Sequence, residues 1–374
     1  MSGPAAPKAG LTPRRKELAR GGVIMLLALL ASWGSGASAL GHFSGRLFLD
    51  PLIRWDAPID ETEIVLVDIT EDDYEKVFKK SRPLDPATIV DLITAAHAGG
   101  AKLIAVDIST ADWPRDWEKR KGVKPLPLAR IVWARGFYQE RDQRRAEYVL
   151  EPILGGVHSA ETECYGVPAL AQEAGIVRSF YSNLAIGSHV EPSFVQQIVY
   201  RTTHDSCLAA DEGGETEIII NFSSRIRSES ASTLLAESRQ PDWGRRPEYA
   251  DKIVILGGTF HSGADIHDTP LGTKAGFEII GQAVSSVRRG NFHSELGETL
   301  SLLIDLVIGV GLLIGGIFVK AWVRVFAYVA MAAALFLSLY LFRQYYLFVS
   351  FLPFIVGILA HYRLEQYHAP QPSS

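Results

Sequence analysis

The chain has 374 residues, 47% of them hydrophobic, and a formal net charge of -5 at pH 7. Its mean hydropathy of +0.10 is high for a wholly soluble protein, and the apolar residues crowd toward the two ends. No long basic run follows the first 20 residues, so the electrostatic footprint of a nucleic-acid-binding protein is absent and that class is excluded.

In chain order, residues 21–40 carry no charge and approach the length of about 20 residues that a helix needs to cross a hydrocarbon core. Arg14, Arg15, Lys16 and Arg20 precede this run and place its N-terminal end in the cytoplasm. Ala37-Ser38-Ala39 leaves open a cleaved signal peptide. In either case the following segment is exported.

After Phe43 the composition turns mixed and globular. Residues 63–69 form a short β-branched apolar run, the pattern of a strand covered on both faces. A helix is expected after Pro86, with Ile89, Leu92, Ile93 and Ala96 at three-and-four spacing, Asp85 as N-cap and Gly99-Gly100 as its end. Residues 102–108 form a second apolar strand. Strand, helix, strand with tight glycine turns is the mark of a right-handed βαβ unit in a parallel sheet. Residues 109–130 are charged and contain Trp113, Pro114 and Trp117, reading as a long loop or insertion. Residues 217–222 and 252–257 repeat the buried-strand pattern, and 278–289 read as a helix.

Three further apolar runs, 300–319, 325–342 and 345–361, predict three more membrane spans. Lys320 and Arg324 put the first link in the cytoplasm, while Trp322, Tyr340, Tyr345 and Tyr346 suit an interfacial belt. Asp305, near the external end of its run, reads as a solvated interfacial residue rather than an intramembrane functional one.

Chemistry could reside at two places. Asp68 and Asp107 end two apolar strands, and the carboxyl edge of an open parallel sheet is where ligands bind; the plainer alternative is that each caps a helix or bonds a turn. The loop after the 252–257 strand carries His261, Asp265, His267 and Asp268, residue types that bind ligands or a metal. Their spacing is not that of a helical metal motif, and Pro270 with several glycines favours a loop bonded to itself. Neither a nucleophile elbow nor a convincing Cys/His pair occurs, so there is no positive case for an enzyme. Two cysteines, Cys164 and Cys207, could form one disulfide in an oxidising compartment or remain as buried thiols.

The residues 64–69, 101–108, 220–222 and, above all, 251–259, 265–272 (Asp-Ile-His-Asp-Thr-Pro-Leu-Gly) and 276–280 (Gly-Phe-Glu-Ile-Ile) resemble the CHASE domain of the second type, an extracytoplasmic sensory module of bacterial signalling proteins. The resemblance covers about residues 20–361 and implies a sensor with an undefined ligand and no catalytic residues. Two segments depart from the family pattern: 113–130 is long and charged, and 158–164 lacks the expected Gly-Phe-x-Asn. Only about 13 residues follow the last run, so a stand-alone form without an output domain is expected.

The sequence thus leads to an α/β extracytoplasmic domain with a mainly parallel sheet over 41–299, plus four transmembrane helices (21–40 and three within 300–361), short cytoplasmic termini (1–20 and 362–374) and an inner-membrane location. Expected partners are the lipid bilayer, a separate signalling or periplasmic protein, a small-molecule ligand and a second copy of the chain. No cofactor is implied. A membrane-tethered metal-assisted hydrolase is the competing reading.

Overall fold

The computed structural model describes residues 49–295 and 323–348, except 121, 128–129, 143–144, 155–163, 187–188, 210–215 and 264, and also positions 23, 26, 27 and 30. Contacts divide the chain into two units, Ile53–His293 and the pair of terminal segments Met1–Leu52 and Ser294–Ser374.

Among the described residues, fifteen strands and five α-helices build the Ile53–His293 unit. Those that place the site are β1 (Ile59–Ile69), α1 (Glu71–Lys76), α2 (Pro86–Ala98), β2 (Leu103–Val106) and β3 (Ile131–Ala134), followed by the hairpin β4 (Phe137–Asp142) and β5 (Arg145–Leu150). Next come β6 (Cys164–Gly166), β7 (Leu170–Glu173), β8 (Ile176–Tyr181), β9 (Asn183–Ile186), β10 (His189–Pro192), α3 (Phe194–Arg201) and β11 (Glu217–Ile219). The unit closes with β12 (Ser224–Ser230), α4 (Ala231–Ser238), β13 (Ile253–Gly258), β14 (Ile266–Thr269), β15 (Gly272–Ala275) and α5 (Gly276–Arg289).

Six strands form one parallel sheet in the order β12-β1-β13-β2-β3-β6. The βαβ unit expected from β1, α2 and β2 is present, but its strands are not neighbours: β13, from late in the chain, lies between them. α2 starts where its pattern places it, with the Asp85 carboxylate accepting from Thr88 N at 3.1 Å. Residues 217–222 are not in this sheet. β11 instead pairs antiparallel with β8 in a second sheet, and the polar β12 supplies the edge of the parallel sheet. An edge strand has one unpaired side in water, so it need not be apolar.

The two-residue period of the strands sorts the core onto two faces. Val65, Val67, Ile69, Ile104, Val106, Val254 and Leu256 pack with α2 and α4 in one cluster. That cluster also holds Trp113, Trp117 and Trp133, so the segment read as a charged loop in fact plugs the core with two tryptophans. The alternate residues Leu66 and Ile255 face α5, where Gly281 lets the helix approach them.

A buried polar lattice fixes α5 against the edge of the sheet. Gln282 Nε2 donates to Ser224 O at 2.7 Å while its Oε1 accepts from Ser224 N at 3.1 Å. Glu61 accepts from Ser285 Oγ at 2.5 Å and Arg289 Nε at 3.0 Å. Gln282→Ala strands both Ser224 backbone groups away from water, and is expected to cost about 1–3 kcal/mol in urea unfolding. Loss below about 0.5 kcal/mol would mean that water replaces the amide.

The hydropathy pattern points to four membrane spans, and this expectation is overturned: among the described residues no helix is long and apolar enough to cross a membrane. α6 (Val323–Tyr345), the described helix over the second C-terminal run, carries Arg324 and Arg343 near its ends. Most of the 21–40 and 345–361 runs, all of 300–319, the small-residue site at 37–39, Asp305, the tail and residues 158–163 lie outside the described residues. A multi-pass inner-membrane location falls with the spans. An apolar run shows that side chains avoid water and does not show what covers them.

The two cysteines are joined, Cys164 to Cys207 across 43 residues of sequence. This settles the alternative that composition left open, because sequence spacing carries no information on spatial approach.

Candidate functional site

At the carboxyl edge of the parallel sheet, β1 leads into α1 and α2 on one face, while the adjacent β13 leads through β14 and β15 into α5 on the other. Connections that part to opposite faces leave a crevice between them. Here the crevice is a cleft of about 800 Å³, within the range of small-molecule sites. Tyr74, Phe260 and Phe277 give it aromatic walls, and Leu84 and Ile280 add aliphatic ones. Tyr74 and Phe260 are stacked with centroids 4.6 Å apart.

Three of the six sequence candidates meet in this cleft: Asp107, Asp265 and His267. Asp107 follows β2 on the side of the alternating residues Leu103 and Ala105, away from the tryptophan cluster. Its carboxyl is half-buried and lines the cleft. Among the described residues no group donates a hydrogen bond to it. Removal from water, reinforced by the Asp265 charge and opposed by His267, pushes the Asp107 carboxyl up to about 7.

Asp265 and His267 form a pair, Nε2 to Oδ1 at 2.8 Å. The hydrogen bond to Asp265 is the main reason that His267 titrates above its usual range, with the Asp265 and Asp107 charges adding and burial opposing. The pair is seated by glycine: a Cβ on Gly276 would lie 1.9 Å from Asp265 Oδ2. Gly257 works in the same way, since a Cβ there would lie 2.4 Å from Phe277 Cβ and would push the first turn of α5 off the sheet.

The other three candidates are placed elsewhere. Asp68 accepts from Thr259 N and Oγ1, both at 2.9 Å, and so ties the β13 turn to β1, as the plainer reading has it. Burial raises its carboxyl above the usual range against those two bonds. His261 is exposed and bonded to Glu71, Nδ1 to Oε2 at 3.0 Å. Asp268 accepts from Thr273 Oγ1 at 2.9 Å within the β14–β15 hairpin. Among the described residues no three His, Cys, Asp or Glu side chains group where they could hold a metal ion.

Ser81, Arg82, Asp112, Ser109 and the aromatic walls also line the cleft, and sequence reasoning missed them. Phe260 and Gly276-Phe277 lay within stretches already singled out, though not as lining residues. The rest come from loops whose polar residues look like any other surface.

The Asp107 site sets a sign for the pH dependence of stability. An unfolded aspartate titrates near about 4, and the folded one near about 7. The folded state holds the proton more tightly, so this contribution to stability is complete below about pH 4 and is lost as pH rises through about 7. Asp107→Asn is expected to raise the urea midpoint at pH 8 and to leave it unchanged at pH 4. A lower midpoint at pH 8 would show that the carboxylate is held by donors when ionised.

Fold and cleft together define an open-sheet α/β domain with a ligand-sized crevice at the carboxyl edge of its sheet. The chain belongs to the CHASE2 domain family, whose model matches residues 23–318. The family is one of extracytoplasmic sensory domains, not of catalysts. The Cys164–Cys207 bond suits an oxidising compartment. No curated protein and no solved structure matches the chain.

Proposed function

We propose that the Ile53–His293 unit senses a small molecule in this cleft and passes the event to a separate partner protein. The observation that carries the reading is the cleft itself, with an unpartnered carboxyl on its wall and aromatic sides. A route for the signal is supported by two elements that leave the cleft for the ends of the unit. The β14–β15 hairpin carries Asp265 and His267 at its base, and Pro270 O at its turn accepts from Arg54 Nε at 2.7 Å. α5 begins at the cleft with Gly276 and Phe277 and runs toward His293, which meets Asp56 at 3.3 Å. A ligand shifts such a device only if it binds two conformations with different affinity.

The test is a screen of the full chain against a library of neutral, cationic and anionic fragments, read by ligand-observed NMR. Hits are expected to be lost in Ser109→Trp, which fills the cleft from an exposed position. Hits that survive that substitution place the site elsewhere. For the second half of the reading, native co-purification is expected to recover a partner protein. A strictly solitary monomer, with and without hits bound, would overturn the partner.

A further inference from the structure

We propose that the cleft takes a protonated amine carried on an apolar body, with the Asp107 carboxylate as its anchor. The inference rests on the cleft being the ligand site and adds the chemistry of the ligand.

Asp107 is a half-buried carboxyl that lines the cleft and to which, among the described residues, no group donates a hydrogen bond. A carboxyl partly withdrawn from water and without a protein donor is left for a ligand to serve. An ammonium supplies up to three donors and a compensating charge and requires no acceptor in return. A hydroxyl or an amide would serve the hydrogen bond but not the charge.

The rest of the lining argues in the same direction. The charged and titratable groups around the space are the acidic Asp107, Asp112 and Asp265, the basic Arg82 and His267, and the neutral phenol of Tyr74. His267 is already committed to Asp265, at 2.8 Å. Arg82 is exposed at the rim. An anionic ligand would therefore meet an excess of carboxylates, whereas a cation meets a free one. Tyr74, Phe260 and Phe277 present rings to the same space, which favours both an apolar body and a nearby positive charge.

The anchor also sets a proton linkage. With the Asp107 carboxyl at about 7, an ammonium that requires the ionised form must displace its proton. Affinity then rises close to tenfold per pH unit between about pH 5 and 6.5, with about 0.9 proton released per ligand at pH 6.

The experiment uses the full chain and three probes with similar phenyl bodies: phenethylamine, 3-phenylpropan-1-ol and 3-phenylpropionate. Calorimetry is run at pH 5, 6 and 7 in two buffers of different ionisation heat. The amine is expected to bind best, to release the proton at pH 6, and to weaken about tenfold or more in Asp107→Asn. That variant is uncharged and of the same shape, and its urea midpoint reports whether it is folded. Binding of the amine without proton release, or unchanged in folded Asp107→Asn, would overturn the inference. So would the absence of binding by all three probes. If the alcohol or the acid binds as well as the amine and Ser109→Trp abolishes it, the cleft stands as the ligand site and only the amine falls.

Discussion

Replacing Cys164 and Cys207 together by alanine is expected to lower the unfolding free energy by about 3–4 kcal/mol, the scale that chain entropy assigns to a loop of this length. The bond spans 43 residues of sequence and encloses β7 to β10 and α3. Opening it returns that freedom to the unfolded chain while removing only two small side chains from the fold. Cys164 lies buried on β6 at the edge of the parallel sheet, and Pro168 and Leu170, within the enclosed segment, line the cleft. The variant should therefore lose urea midpoint and also bind cleft ligands more weakly. Equal midpoints for the oxidised protein and the double variant would show that packing alone holds the segment.

Trp117→Ala carries the other large cost, about 3–5 kcal/mol for emptying a fully enclosed tryptophan site. The ring is buried, stands edge-on to Trp113 at 5.0 Å, and Trp113 in turn meets Trp133 at 6.1 Å. Its Nε1 donates to the buried Leu154 O at 3.2 Å, so truncation also strands an acceptor. Arg115→Ala, two residues away and exposed, is the control and should change stability by less than about 0.5 kcal/mol. Urea unfolding followed by near-ultraviolet circular dichroism checks both. If the two variants unfold alike, the segment is the surface loop that its charge suggests and not a plug of the core.

These two sites show where sequence reasoning stops. The 109–130 segment reads as a loop because charged residues such as Arg115, Asp116, Glu118, Lys119 and Arg120 dominate its composition. Two aromatic anchors suffice to bury it, and a sum over composition hides them. The strands behave in the opposite way. β2, β13 and the second half of β1 are covered on both faces, so nearly every residue there is apolar, and the run is legible without knowing its neighbours. β12 escapes because it is an edge, and its polar residues answer to water on one side.

The candidate site divides along the same line. Asp107, Asp265 and His267 were legible as chemistry at strand ends and in the loop after β13. Their convergence was not, because it depends on β13 lying between β1 and β2. Asp68 has the same sequence context as Asp107, at the end of an apolar strand. One is tied to Thr259 and the other is left without a donor, and only the neighbouring turn decides which.

The sequence by itself determined the parallel α/β character, the caps of α2, the family and the residue types at the sheet's carboxyl edge. Each follows from local rules, namely the period of apolar residues, the orphan groups of a helix end and a contiguous signature. The tertiary structure alone decided the strand order, the disulfide, the burial of the tryptophan segment and which three of six polar candidates share one space. Those depend on residues far apart in the chain meeting, and nothing in a local pattern encodes the distance between them.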